Sequence, residues 1–237
     1  MKRYTSAAGL AVRLTWFQAA VYILALCGCQ WAAFLNVNNV PTQALEYRLD
    51  DWPMGAGRMG MMGMLLMLYS FLKGGKGSQF HITLKRLSLS EMTVAAVWAL
   101  TFAGWFLLYW AVQLIMLFGM YANYVHSYGG SENLLFVVAM RSKYFHYLLP
   151  LYEPWGFARN IAMCLAFGSF TALGAQNARN GRWNPLCLAF LLMILWALLT
   201  PQSVAAQWAD MTVTIFAIVC VVWDWIWTER WMRREEA

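Results

Sequence analysis

Residues able to bind metals or act as nucleophiles are present in this chain but do not form a recognisable motif. The three histidines, His81, His126 and His146, lie far apart, and no H-E-x-x-H, C-x-x-C or G-x-S-x-G pattern occurs. The cysteines all fall inside apolar runs, where they are typical of small packing residues: they are Cys27, Cys29, Cys164, Cys187 and Cys220. The sequence therefore predicts no enzyme, metal site or disulfide framework.

Methionines are crowded between positions 59 and 67, and they allow two interpretations. Thioether sulfurs are soft ligands that suit Cu(I), but methionine side chains also fill irregular helix interfaces. No cysteine or histidine lies close in sequence to complete a copper site, so packing is the favoured interpretation. The residues are Met59, Met61, Met62, Met64 and Met67.

Two polar residues in or beside apolar runs, Gln113 and Arg159, are candidates for a transport pathway. Polar and ionisable side chains inside a membrane are costly and usually functional. The alternative for Arg159 is that it lies near a helix end and extends its charge to the interface.

The sequence has no motif for nucleotide binding. The glycine-rich segment 74–78 lacks the G-x-x-x-x-G-K-[ST] spacing of a phosphate-binding loop.

The elements that carry these residues are apolar helices. Of the 237 residues, 61% are hydrophobic and 12% are charged, whereas soluble domains have about 25% charged residues. This composition predicts an all-α integral membrane protein. The net charge of +6 is typical of basic cytoplasmic loops and indicates no nucleic-acid partner.

The apolar runs predict one transmembrane domain, residues 1–237, with six transmembrane helices. The spans cover residues 14–34, 56–72, 92–121, 155–175, 184–200 and 211–228. An interfacial helix is predicted before the first span. Gly57, Gly60 and Gly63 predict a face for close helix packing in the second span. The piece 134–151 carries charges and is predicted to be a partial or interfacial helix.

Basic residues predict the orientation of these spans. With both termini in the cytoplasm, 12 of the 17 lysine and arginine residues fall on the inner side, as the positive-inside rule requires. The predicted location is a plasma membrane, and a bacterial one is favoured.

The segment 79–90 is a basic interruption between the second and third spans. Phe80, Leu84 and Leu87 recur on one face of a short helix, and Lys85 lies on the opposite face beside Arg86. The S-x-x-E spacing from position 88 to position 91 predicts that a new helix starts there. Such an amphipathic helix fits two roles: docking to a partner protein or lying on anionic lipid.

The layout and this segment resemble the ABC-2 type permeases, the six-helix membrane subunits of ATP-driven exporters. The likeness rests on six spans with both ends inside, the amphipathic start, and Thr83–Ser90, which is similar to the family's T-L-x-x-L-x-x-S coupling segment. The resemblance implies a homo- or heterodimer with two separate ATPase subunits, which hold the ATP and Mg²⁺. It further implies that Phe80, Leu84 and Leu87 insert into an ATPase groove, where Lys85 and Arg86 pair with acidic residues.

The expected activity is therefore export of an amphipathic or apolar cargo, such as a peptide, drug or lipid-like molecule. Two other classes remain open. One is a membrane scaffold or assembly protein that transports nothing, and the other is the membrane substrate-binding subunit of a vitamin importer. A coupling segment in the first inner loop favours the exporter, because a scaffold does not need one.

Overall fold

The computed structural model describes residues 2–37, 45–50, 52–74, 90–129, 133–150, 153–179 and 206–236. Within these ranges the chain is helical apart from short connections, and no strand occurs there. The helices are α1 (Lys2–Val37), α2 (Leu45–Asp50), α3 (Trp52–Gly74), α4 (Glu91–Tyr128), α5 (Leu134–Arg141), α6 (Lys143–Leu148), α7 (Pro154–Arg179) and α8 (Ala206–Glu236). The prediction of an all-α fold is confirmed.

Four of the described helices are long and apolar enough to cross a membrane. They are Tyr4–Asn36, Glu91–Tyr128, Pro154–Ala178 and Trp208–Arg233, and they coincide with the predicted first, third, fourth and sixth spans. The predicted second span overlaps a shorter apolar helix, Met59–Leu72, within α3. The predicted fifth span, residues 184–200, lies outside the described residues.

The start of the chain differs from the prediction. The stretch predicted to be a separate interfacial helix is part of α1, which runs unbroken over 36 residues. This stretch has several alanines and no proline, so nothing in it interrupts the helical hydrogen bonds. At 1.5 Å per residue α1 is about 54 Å long, which exceeds the ~30 Å hydrocarbon core of a bilayer.

α4 begins where the sequence predicts a new helix, but with a different cap. Ser90 is the N-cap residue, and its Oγ accepts a hydrogen bond from the Thr93 backbone N–H at 3.2 Å. The prediction of Ser88 as the cap is therefore wrong. Glu91 is the first helical residue, where its carboxylate is favoured by the helix dipole.

α1 and α4 run parallel, and α3 runs antiparallel to both. At one end of the bundle, Ala11 of α1 and Leu72 of α3 share an apolar cluster with the start of α4. Toward the other end, Gln30 of α1 accepts a hydrogen bond from Gln113 of α4, and Gly57 of α3 lies against Gln30.

α7 and α8 also run parallel to each other. Arg159 near the start of α7 pairs with Asp210 near the start of α8. Asn177 near the end of α7 donates a hydrogen bond to Thr228 toward the end of α8. The end of α7 and the start of α8 therefore lie at opposite ends of the bundle.

The two ends of the bundle carry different elements. Ala11, near the start of α1, and Trp225, near the end of α8, pack in the same cluster. α1 therefore starts, and α8 ends, at the same end of the bundle, which is named here the terminal end. The helices α2, α5 and α6 lie at the opposite end, named the cap end, where α6 contacts the middle of α4 and the start of α7.

The predicted glycine face of α3 is confirmed. The Tyr109 hydroxyl donates to the Gly57 carbonyl at 2.7 Å, and the Tyr22 hydroxyl donates to the Gly60 carbonyl at 2.9 Å. A Cβ at Gly60 or Gly63 would collide with these tyrosines. The absence of side chains on this face makes room for the hydroxyl ends of Tyr22 and Tyr109 against the backbone of α3.

Residues 134–151, predicted to be a partial helix, include two short helices. The break falls at Ser142, which is extended and caps α6 by accepting a hydrogen bond from the Phe145 backbone N–H at 3.2 Å. α5 exposes much of its surface, whereas Tyr144 and Phe145 of α6 are buried. The pair is too short to span a bilayer, in agreement with the prediction.

Candidate functional site

α6 is fixed at its first turn by a carboxylate from α2. Asp50 accepts three hydrogen bonds of 3.0 Å, from the Ser142 hydroxyl and from the backbone N–H groups of Lys143 and Tyr144. The first N–H groups of a helix have no partner inside the helix, and a negative charge there is favourable. The Asp50 side chain therefore joins α2 to both the backbone and a side chain at the start of α6.

Gln113, one predicted pathway residue, lies in a buried network with Gln30 and Tyr144, named here the amide network. Gln113 Nε2 donates to Gln30 Oε1 at 3.1 Å, and the Tyr144 hydroxyl donates to Gln113 Oε1 at 2.5 Å. Gln113 is fully buried, so these bonds replace those it would make with water. The amide network joins α1, α4 and α6.

Arg159, the other predicted pathway residue, lies in a second buried network with Asp210, Asn160 and Tyr147, named here the ion-pair cluster. Arg159 Nη1 is 2.5 Å from Asp210 Oδ1. Arg159 Nη2 donates to the Tyr147 carbonyl at 3.2 Å, and the guanidinium lies 4.7 Å from the centre of the Tyr147 ring. Asn160 accepts from Arg159 Nε at 3.2 Å and donates to the Tyr147 carbonyl at 3.0 Å.

The two networks meet on α6. Tyr144 belongs to the amide network and Tyr147 to the ion-pair cluster, three residues further along the same short helix. Gln113 and Arg159 therefore both hold α6, although they do not hydrogen-bond each other. In this arrangement their polar atoms bind protein groups and fix α6 to α4 and α7. Their role in a transport pathway stays a prediction.

The rest of the cap end is held by charged side chains. Arg48 of α2 is 1% exposed, with its guanidinium 5.3 Å from the ring centre of Tyr124 and 5.0 Å from that of Tyr128, both on α4. Such cation–π contacts are favoured when the cation is desolvated. Glu46 of α2 pairs with Arg141 of α5 at 3.4 Å. The cap helices are thus connected to α4 and to each other.

The terminal end has a smaller set of polar contacts. Gln176 Nε2 donates to Glu91 Oε2 at 3.2 Å and joins α7 to α4. Asn177 donates to Thr228 at 3.1 Å, and Asp224 is buried one turn before Thr228. α7 is therefore bonded to α8 near both of its ends.

The predicted ATPase-docking residues lie outside the described residues: they are Phe80, Leu84, Lys85, Arg86 and Leu87. The helices on either side of them are described. Leu72, near the end of α3, and Val94, near the start of α4, both pack in the apolar cluster of the terminal end.

Four of the five methionines between positions 59 and 67 pack in the bundle. Met61 and Met64 are buried in the main apolar core, with Met62 and Met67 packed against it, whereas Met59 is exposed. Among the described residues, no group of three or more histidine, cysteine, aspartate or glutamate side chains is placed to hold a metal ion.

Several residues of these networks could not be predicted from the sequence. Asp210 is predicted to lie in a loop before the last span, but α8 starts at Ala206 and includes it. Gln30, Asp50 and Tyr144 have no motif around them. An acidic residue at the edge of one apolar run and an arginine at the edge of another are the only sequence signal for the ion pair.

No protein-family model, curated protein or solved structure matches this chain. The class of protein is defined by the fold of the described residues, which is all-α with four helices long and apolar enough to cross a membrane.

Proposed function

We propose that this chain is the membrane-spanning permease subunit of an ATP-driven exporter of the ABC-2 type, in a bacterial plasma membrane. It would move an amphipathic or apolar cargo out of the cytoplasm. A separate ATPase subunit would supply the energy, and a second permease subunit would complete the transporter.

The observation that carries this proposal is the direction of the helices. Two antiparallel helices, α1 and α3, precede α4, and α7 and α8 run parallel to each other. Parallel neighbours in a membrane require an odd number of crossings between them, and residues 184–200 are apolar enough to supply one. This supports six spans with both termini on one side.

The position of the first inner loop also supports the proposal. The loop joins Leu72 to Val94, which pack with Ala11 and Trp225 at the terminal end. In the proposed orientation this end faces the cytoplasm, where an ATPase would bind Phe80, Leu84 and Leu87. Trp155 and Trp208 are exposed near the cap end, which suits the outer membrane interface.

The cap end supplies a mechanism for closing the outer side. α6 is held to α4 by Gln113 and to α7 by Arg159, so cargo release at that end would require these contacts to change. ATP-driven closure of the ATPases would tilt α1 and α3 against the other helices through the coupling segment. Gln30 of α1 belongs to the amide network, so such a tilt would be transmitted to α6.

The experiment is gentle solubilisation from the native membrane, followed by identification of the proteins that co-purify. We expect a stoichiometric ATPase, and we expect Leu84→Glu to remove it because a charge would enter an apolar groove. Ser88→Glu adds the same charge to the opposite face and serves as the matched control. If no nucleotide-binding protein co-purifies in several detergents, the scaffold or importer-subunit class replaces this proposal.

A further inference from the structure

His146 of α6 pairs with Glu153, which lies just before the start of α7. His146 Nε2 is 3.3 Å from Glu153 Oε2. The two side chains are 30% and 19% exposed, so water reaches the pair but does not surround it. The two residues, named here the His–Glu pair, bridge the connection between α6 and α7.

The connection between the two helices is folded closely enough to fix the position of Glu153. The Glu153 backbone N–H donates to the Pro150 carbonyl at 3.3 Å, and the Gly156 N–H donates to the Glu153 carbonyl at 3.0 Å. An added Cβ at Gly156 would lie 2.6 Å from Pro150 Cβ and 3.5 Å from Asp210 Oδ2. The Glu153 side chain is therefore carried by a compact turn that lies beside Asp210.

The His–Glu pair adds its charges to those of the ion-pair cluster. Asp210 interacts electrostatically with Glu153 and His146 as well as with Arg159. With a neutral imidazole, the two carboxylates and the one guanidinium have a summed charge of −1, and a proton on His146 brings that sum to zero. Opposite charges at such distances favour the charged form of each partner. The proton therefore favours the arrangement in which the four groups lie together.

The other charged groups around α6 lie at its opposite end. Asp50 of α2 binds the first turn, Arg141 ends α5 just before it, and Lys143 is its first helical residue. α4 presents uncharged side chains to α6, such as Trp110, which donates to the Leu148 carbonyl at 3.0 Å. Histidine is the residue type that ordinarily gains and loses its proton between about pH 5 and 8. A change of pH in that range therefore acts on this contact through the imidazole.

We infer that the His–Glu pair is a proton-controlled latch at the cap end of the bundle. When His146 is protonated, its charge holds α6 against Glu153 and Asp210 at the starts of α7 and α8. When the proton leaves, both carboxylates lose a positive partner and this attachment weakens. Because the charged form favours closure, the latch is strongest at low pH and is lost as the pH rises through the titration of the imidazole.

Opening of the latch loosens α6 without detaching it. Arg159 and Asn160 bind the Tyr147 carbonyl, and these hydrogen bonds do not involve His146. A partly exposed ion pair changes an equilibrium of this kind by about threefold. Under the proposed function the cap end faces outward, so the external pH would set how readily the cap releases cargo. Only this last step rests on the proposed function.

Hydrogen exchange of the full-length chain in lipid nanodiscs tests the latch. Buffer reaches both membrane faces there, so the result does not depend on orientation. After correction for intrinsic exchange rates, the amides of residues 143–149 should be about threefold better protected at low pH, about 5.5, than at about pH 8. His146→Gln keeps a hydrogen-bonding side chain that cannot be charged, and it should be weakly protected at both pH values. Glu153→Gln should lose the pH dependence as well.

Two further variants separate the charge of His146 from its packing. His146→Arg carries a permanent positive charge and should be strongly protected at both pH values, which a folding defect cannot imitate. The matched control is His126→Gln, because His126 is an exposed histidine near the end of α4, also at the cap end. It should keep the wild-type pH dependence.

Three results would each overturn the inference. They are a wild type without pH dependence, a pH dependence that survives His146→Gln, and weak protection of His146→Arg at low pH. Co-purification of the ATPase is measured separately. A chain that retains its ATPase but shows no pH dependence contradicts the latch alone, and a working latch without an ATPase contradicts the permease proposal alone.

Discussion

Arg159 and Asp210 form a buried ion pair that joins two parallel helices near their starts, with Arg159 Nη1 2.5 Å from Asp210 Oδ1. Their side chains are 5% and 8% exposed. A buried charge that loses its partner is neither solvated nor compensated, whereas removing both charges leaves only apolar packing. The pair therefore makes α7 and α8 depend on each other at the cap end.

The first prediction is that either single substitution destabilises the protein more than the double substitution does. Arg159→Ala should lower the free energy of unfolding by ~3–5 kcal/mol, because Asp210 stays buried without its partner. Arg159→Met combined with Asp210→Leu should recover most of that loss. Melting temperatures in detergent, followed by size-exclusion chromatography, measure the effect. Single variants that melt at the wild-type temperature would show that the pair does not stabilise the bundle.

The second prediction concerns the amide network. Gln113→Leu removes two buried hydrogen bonds, to the Tyr144 hydroxyl and to Gln30, so it should cost ~1–3 kcal/mol. Adding Tyr144→Phe removes the other end of one of these bonds, and the double-mutant cycle should give a coupling energy of ~0.6–1.7 kcal/mol. Gln176→Leu is the control, because the hydrogen bond from Gln176 to Glu91 is exposed. Additive effects of the two substitutions would contradict a direct Gln113–Tyr144 bond.

The third prediction ranks the glycines by what surrounds them. A Cβ at Gly168 would lie 2.6 Å from the Ala103 backbone nitrogen and would also collide with the Ala99 carbonyl. Backbone atoms cannot rotate away, so Gly168→Ala should separate α4 from α7 and cost ~1–3 kcal/mol. Gly28→Ala meets nothing within 4 Å and should be neutral, or stabilising by up to ~1 kcal/mol through helix propensity. Thermal stability decides between these outcomes, and equal melting temperatures would contradict close packing at Gly168.

The fourth prediction follows from the parallel arrangement of α7 and α8. If α7 and α8 both cross the membrane in the same direction, the chain between them must cross it once in the other direction. Asn180 and Ser203 lie on either side of that crossing in the sequence, so we expect them on opposite sides of the membrane. In a cysteine-free chain, Asn180→Cys and Ser203→Cys should react with an impermeant maleimide from opposite faces of sealed vesicles. Lys76→Cys should react from the same face as Asn180→Cys. Labelling of positions 180 and 203 from one face would rule out a single crossing between α7 and α8.

The composition of the sequence and the spacing of its apolar residues were sufficient to predict the class of fold. Long apolar runs without charges favour helices, because a backbone surrounded by lipid must satisfy its own hydrogen bonds. The same local reasoning predicts the close-packed face of Gly57, Gly60 and Gly63 and the packing role of the methionines. It also predicts that residues 134–151 do not form a full span. These features depend on residue type and spacing within one helix, which a sequence displays directly.

The contacts between helices were decided only by the tertiary structure. Arg159 and Asp210 are 51 residues apart, and Gln30 and Gln113 are 83 residues apart. Each member of a pair looks alone like an isolated polar residue at the edge of an apolar run. The partner of each residue depends on which helices are neighbours and on their relative position along the bundle axis. Side-chain packing along the whole bundle determines both. The sequence therefore determined that the chain forms apolar helices, and the packing of those helices determined which polar side chains hold α6 in place.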